Sequence, residues 1–325
     1  MTAVLNAYTL SECMEIMAEY AAAYEATGGR NLIFCEDRLT LIAERALTRR
    51  MGGTFFSSVT TFARFLKTDE KILTKQGSVM AVGGIMAELQ RKKVLKCFTS
   101  AAGIKNNAKC IYETVAQLAA SEVTGETLQE SLALLPDDLL KDKLSDLALI
   151  YDGYTAFLRE NGYVDESRYL ALLPDCIRRD PSLRGANVFF LCFNSFTAQA
   201  AQAIRAAAET AGNVVGVFCS GKEEIYTNRA FTVFCKNLEE YGKVQVRSLG
   251  TPLEGEAEIL RSGLFDPEKL TGERTRTEKI RVFEAEDKSG EAEYIAANIR
   301  KLLEEEKEMR YRDIAVLVSD AASYS

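Results

Sequence analysis

Hydrophobic and polar positions in the first sixty residues switch between two periods. Ala3-Val4-Leu5 is a short apolar run. From 10 to 26, Leu10, Cys13, Met14, Met17, Tyr20, Ala21 and Tyr24 recur at helical spacing. Thr27-Gly28-Gly29 stops that helix, and Asn31-Leu32-Ile33-Phe34-Cys35 reads as a buried strand. A helix over about 38–50 runs to Gly52-Gly53, after which Thr54-Phe55-Phe56-Ser57 predicts a third strand. Strands and helices alternating at this spacing imply right-handed crossovers and a parallel sheet.

The period then changes. From about 66 to 180 it is almost wholly helical, most clearly over Lys143 to Leu158, where Leu144, Leu147, Ile150, Tyr151, Tyr154 and Leu158 form one stripe. Such a stripe is a core face. The α/β alternation resumes with a strand over Val188–Phe193, a helix over 197–210 stopped by Gly212, and a strand over Val214–Cys219. A helix at about 228–241 and a strand at Val244–Val246 complete the series. The expected organisation is therefore a discontinuous lobe of residues 1–65 and 181–250, with 66–180 as a helical insertion. Gly, Glu, Thr and Pro crowd 249–278, and 251–278 reads as a linker. Residues 279–325 predict a fresh βαβ unit: strand 280–284, helix 289–307 and strand Ile314–Val318. One such unit cannot cover both faces of its own sheet, so it is expected to be the start of a longer, second lobe.

Composition narrows the chemistry. In 325 residues, 47% are hydrophobic and 27% charged, ordinary values for a globular protein. The net charge of −7 excludes a dedicated, strongly basic nucleic-acid binder but leaves room for a local basic groove. No histidine is present, which removes Ser-His-Asp, Cys-His and His–metal chemistry. Tryptophan is absent too, so any base stacking falls to Phe, Tyr or Arg. The eight cysteines show no CxxC spacing and sit mostly in apolar runs. They read as buried free thiols of a cytoplasmic protein, with no metal or cofactor site expected. No apolar stretch reaches membrane-spanning length.

An opening strand–turn–helix is where a P-loop ATPase holds its phosphates, yet here the turn reads Asn6-Ala7-Tyr8-Thr9-Leu10-Ser11-Glu12-Cys13. A phosphate loop needs glycines, a lysine for the β/γ-phosphates and a hydroxyl for Mg²⁺. No glycine appears, and Glu12 and Cys13 stand where the lysine and hydroxyl would fall. Thr9-x-x-Glu12 reads instead as a capping box, which sets a carboxylate at the positive end of the helix dipole. The strand at 188–193 departs in the same way. Where a motor keeps an Mg²⁺-binding acid, this chain has Leu191, followed by Cys192, Phe193 and Asn194. Both departures point to a site that takes no nucleotide. A second GxxxxGK match, Gly216 to Lys222, is followed by Glu223, and its spacers continue a buried strand, so it cannot form an open phosphate loop.

Ser57-Ser58-Val59-Thr60-Thr61-Phe62-Ala63-Arg64 carries the positive signal. Thr61, Phe62 and Arg64 offer a hydroxyl, an aromatic face and a guanidinium, which suit a single-stranded backbone and a stacked base. The plain alternative is a helix N-cap with a buried phenylalanine. Arg45, Arg49, Arg50, Arg64 and Lys67 gather near the third strand, and Arg91, Lys92, Lys93, Lys96, Lys105 and Lys109 gather in the helical block. These clusters can line a phosphate groove or form solvated helix faces.

Several segments together resemble the N-terminal part of the AddB/RexB family, the B-type subunits of bacterial ATP-dependent helicase–nucleases that process double-strand breaks. They are Thr40-x-x-x-Glu44, Val59 to Leu66, Lys143 to Leu158, Phe193-Asn194-Ser195-Phe196-Thr197-Ala198-Gln199, Glu291 to Ala296 and Arg310 to Leu317. The resemblance implies a RecA-like, superfamily 1 helicase-like parallel sheet with the start of a second RecA-like lobe. It also implies a lobe that holds single-stranded DNA alongside an A-type partner subunit without acting as a motor. On that basis Thr61, Phe62 and Arg64 are the expected DNA edge, with Arg91, Lys92 and Lys93 as electrostatic support. Arg38 stands where a glutamine is common in the family. Two other readings stay open: a working P-loop ATPase with a non-standard site, and a purely structural lobe that docks the partner subunit.

Overall fold

The computed structural model describes residues 2–67, 69–99, 101–136, 138–220, 229–263 and 280–324. In chain order the elements are β1 (Thr2–Asn6), α1 (Leu10–Ala26), β2 (Asn31–Cys35), α2 (Thr40–Met51), β3 (Ser57–Thr60) and α3 (Phe62–Phe65). The middle of the chain contributes β4 (Lys71–Leu73), α4 (Lys75–Arg91), α5 (Ala101–Ala120), α6 (Gly125–Ala133), α7 (Leu139–Asn161) and β5 (Tyr163–Asp165). There follow α8 (Leu173–Arg179), β6 (Asn187–Leu191), α9 (Ala198–Thr210), β7 (Asn213–Phe218), α10 (Ala230–Leu238), β8 (Gln245–Ser248), α11 (Glu256–Gly263) and α12 (Lys288–Glu305). The described residues up to 263 belong to one compact unit and those from 280 onward to another.

Six strands form one parallel sheet in the order β3-β2-β6-β7-β1-β8, the RecA-like arrangement. β3 and β6, on either side of the helical stretch, both lie in this sheet. The four central strands are apolar on both faces because helices cover both. Leu5, Ile33, Phe189, Val215 and Val217 pack toward α1 and α2, while Val4, Phe34, Phe190, Val214 and Phe218 pack toward α8, α9 and α10. Gly216 is required on the second face, since a Cβ there would come within 2.7 Å of the Phe234 ring. At the N-terminal ends of the strands, Asn31, Asn187 and Asn213 lie in register and form a side-chain ladder. Asn187 Nδ2 donates to Asn31 Oδ1 (3.0 Å), and Asn213 Nδ2 donates to Asn187 Oδ1 (2.6 Å).

Between β3 and β6, helices α4–α7 close a separate core around Val82, Met86, Val115, Ile150 and Tyr154. All the predicted α7 stripe residues except Leu144, which is half-buried, are buried there. This block is not purely helical: β4 and β5 pair in parallel as a small second sheet. Three-residue strands are too short to leave a period in the sequence.

Three other expectations need correction. The third strand starts at Ser57, not at 54, because the Thr54 hydroxyl accepts the amide hydrogens of Phe56 (3.1 Å) and Ser57 (2.9 Å) and holds 54–56 in a turn. Within the expected linker, 256–263 is the helix α11. The expected strands 280–284 and 314–318 do not form; α12 does. A strand needs a neighbour for its backbone groups, and among the described residues neither segment has one, so Val282 and Leu317 are 95% and 92% exposed.

Candidate nucleic-acid edge and nucleotide crevice

The C-terminal ends of β1, β6 and β7 meet at the crevice where open parallel sheets bind ligands. The turn after β1 leads into α1, whose N-cap Thr9 forms the predicted capping box with Glu12. The Glu12 carboxylate does more than cap. Its Oε2 accepts the amide hydrogens of Tyr8 (3.1 Å) and Thr9 (3.0 Å) and the Thr9 hydroxyl (3.1 Å). Its Oε1 accepts the amide hydrogen of Thr251 (2.6 Å), from the chain beyond β8. These donors hold the carboxyl below the usual carboxylate range, the Thr251 amide most of all. An anion therefore already sits at this helix N-terminus, and it belongs to the protein.

Leu191, at the end of β6, is fully buried against the α1 side of the sheet. Cys192 follows with φ of 52°, in the left-handed region that side chains seldom enter. Cys13, Cys192 and Cys219 converge here. Hydrogen bonding with Cys192 is the main cause that raises the Cys13 thiol, and hydrogen bonding with Cys13 raises that of Cys219. Cys219 Sγ also donates to Tyr8 O (3.5 Å). Cys13 and Cys219 stay protonated, and among the described residues no group of three or more Cys, Asp or Glu side chains is placed to hold a metal ion. Asn6 Oδ1 and Ser220 Oγ, both buried near the same strand ends, have no hydrogen-bond partner among the described residues. Of the second GxxxxGK match, Gly216 to Phe218 lie in β7, while Gly221 and Lys222 fall outside the described residues.

The predicted DNA edge lies at the neighbouring strand ends. Thr61 is the N-cap of α3, and its hydroxyl accepts the Arg64 amide hydrogen (3.1 Å). Phe62 is buried, with its ring stacked on Phe193 (centroids 5.1 Å apart, planes at 13°) and tilted against Phe34 (5.1 Å). Arg64 is exposed and pairs with Asp37 at the end of β2 (Nη2–Oδ1 2.6 Å). The segment thus delivers one guanidinium to the surface, while Thr61 and Phe62 serve to position it. Arg38 is exposed in the same turn as Asp37 and pairs with Glu36 (2.7 Å).

Arg91, Lys92 and Lys93 are exposed at the end of α4, and Lys92 pairs with Glu88 (2.6 Å). Their loop is anchored by Asp146 of α7, which is fully buried and accepts the amide hydrogens of Lys96, Cys97 and Phe98. Among the described residues no hydrogen bond or ion pair links this cluster to Arg64. Arg45, Arg49 and Arg50 lie elsewhere, along one rim of a 630 Å³ groove between α1 and α2. Leu10, Met14, Ala18, Ile42 and Ala46 floor that groove, and Glu15 and Glu19 form the other rim. The side chain of Lys105 lies outside the described residues, and Lys109 is exposed. Sequence reasoning missed Asp37, Gly250, Thr251 and Arg261 as parts of these sites. Each enters through a contact distant in sequence that no local pattern signals.

The sequence matches the family model described as ADDB, N-terminal, over residues 23–263. It is similar to the B-type subunit of the ATP-dependent helicase/deoxyribonuclease of Clostridium novyi (strain NT), with 26% identity over 92% of this chain and 28% of that protein. Proteins of the same name from Thermoanaerobacter sp. (strain X514) and Desulforudis audaxviator (strain MP104C) are 27% and 28% identical. Those matches cover 82% and 86% of this chain, and 25% and 26% of the relatives. The chain thus spans about a quarter of the length of these relatives.

Proposed function

The chain belongs to the AddB N-terminal family, and from that premise we propose that it is a nucleotide-silent, helicase-like lobe that handles single-stranded DNA in the B-type subunit of a helicase–nuclease. The observation that carries the silent half is the Glu12 carboxylate, bound by Tyr8, Thr9 and Thr251 where a phosphate would sit. No cofactor is required in this reading, and the complex would act in the cytoplasm in double-strand-break repair. Residues 1–65 and 181–250 form the first lobe, 66–180 the insertion, and 279–325 belong to a second lobe. Arg64, Arg91, Lys92 and Lys93 contact the phosphate backbone, and Thr61 and Phe62 hold the edge in shape. The name shared by the relatives supports the DNA role and an A-type partner subunit.

Fluorescence anisotropy with single-stranded oligonucleotides at two salt concentrations tests this. Binding should be weak and indifferent to sequence, since a net charge of −7 repels phosphate at long range. Arg64→Ala or Lys92→Ala should lower affinity for all sequences alike and reduce the salt slope by about 0.7 per lost contact. Asp37→Ala should do the reverse, because it frees Arg64 from its ion pair. A fluorescent ATP analogue with Mg²⁺ should give no saturable signal; micromolar binding would restore the working-ATPase reading.

The α1–α2 groove favours a second reading, a lobe that docks the partner subunit. Its aliphatic floor offers no stacking platform, and the Glu15–Glu19 rim repels phosphate. No DNA binding even at low salt would decide for this reading.

A further inference from the structure

The chain after β8 folds back over the nucleotide crevice. The Leu249 amide donates to Asn6 O at the end of β1 (2.7 Å), and the Thr251 amide donates to Glu12 Oε1 (2.6 Å). Ten residues further on, in α11, Arg261 Nη1 donates to Ser220 O beyond β7 (3.4 Å). The same guanidinium lies 5.6 Å from the Tyr8 ring centroid, and the Arg261 side chain is only 14% exposed. Residues 249–263 are therefore anchored to the end of β1, the N-terminus of α1 and Ser220 just beyond β7, beside the strand ends that border the crevice.

Gly250 shows what sets this path. Its φ is 90°, and a Cβ there would come within 2.8 to 2.9 Å of the Glu12 carboxyl carbon and both oxygens. The positive φ favours glycine here, a Cβ would push the Glu12 carboxylate aside, and the next amide hydrogen points at Oε1. One oxygen of Glu12 serves the turn before α1 and the other serves the segment beyond β8. A phosphate bridges two loops in the same way: several oxygens accept backbone N–H groups from both sides.

We infer that residues 249–263 form a strap that closes the crevice, with the Glu12 carboxylate as the internal anion that fastens it in place of a bound phosphate. The strap gives the lobe, without any ligand, the loop-to-loop connection that a nucleotide would otherwise supply. This rests on the proposed silent crevice, but it makes a separate claim about what fills it.

Amide hydrogen exchange on the whole chain tests the strap. Glu12→Ala should lose protection at Tyr8, Thr9 and 249–263 and melt a few degrees lower. Acetate or inorganic phosphate at tens of millimolar should restore both in the variant, by occupying the vacated amides, and should leave the wild type unchanged. Should Glu12→Ala fail to fold, Glu12→Gln and Gly250→Ala approach the contact from its two sides, and each should weaken protection over 249–263. Unchanged protection in these variants, or no response of Glu12→Ala to either anion, would overturn the inference. Loss of protection over 249–263 when ATP and Mg²⁺ are added to the wild type would overturn it as well. Nucleotide binding that leaves the strap protected would count only against the silent crevice.

Discussion

Phe62 and Arg64 stand two positions apart and have opposite environments. The Phe62 ring is enclosed by Phe34, Phe190 and Phe193, whereas the Arg64 guanidinium is at the surface with Asp37. Phe62→Ala should therefore cost about 3–5 kcal/mol of stability in denaturant unfolding, the range for deleting a buried phenylalanine. DNA affinity, counted per folded molecule, should stay near the wild-type value. Full stability combined with lost DNA binding would put the ring at the interface after all. The Arg64–Asp37 pair is exposed on both sides and contributes little to stability. In the proposed DNA role, Asp37 competes with phosphate for the same guanidinium.

At the scale of elements, two loops are held by carboxylates that accept backbone amide hydrogens, Asp146 fully buried and Glu12 half-buried. Asp146 holds 96–98 against α7 through three amides, just as Glu12 holds its two loops. Asp146→Ala would leave those amides unpaired at about 1–3 kcal/mol each, unless the loop swings out to water. The expected result is a loss of about 3 kcal/mol or more together with fast exchange at Lys96, Cys97 and Phe98. Asp146→Asn, which keeps one acceptor oxygen, should fall between. Slow exchange at these positions in Asp146→Ala would show that α7 packing, not the carboxylate, fixes the basic loop.

Across the whole molecule, acid should act through a few hydrogen-bonded carboxylates, exposed ones included. Glu209 of α9 accepts from Arg178 of α8 (2.6 Å) and from Tyr241 (2.8 Å), and these partners, Arg178 first, lower its pKa. Glu12 is lowered too. A carboxyl whose folded pKa lies below its ordinary value of 4.5 stabilises the fold fully above that pH. The contribution is lost as the pH falls through the lowered value. Melting temperature should thus be nearly flat from neutrality to about pH 5 and drop below that. Glu209→Gln should start lower and lose less on acidification. An equal acid response in wild type and variant would remove Glu209 from this account.

Local periodicity determined the strands and helices of the sheet, because a central parallel strand must be apolar on both faces and a covering helix on one. The capping box at Thr9 and Glu12, the missing phosphate-loop glycines and the core stripe of α7 were legible for the same reason: each is a relation among residues a few positions apart. What Phe62 does was not legible. A phenylalanine after an N-cap looks the same whether it faces solvent or Phe193, and the partner lies 131 positions away, from 62 to 193. Only the tertiary structure decided that Glu12 would also receive Thr251, that Gly250 would press against its carboxyl and that 249–263 would close the crevice. Those contacts depend on β8 pairing beside β1, and strand order is a property of the assembled sheet that no single segment encodes.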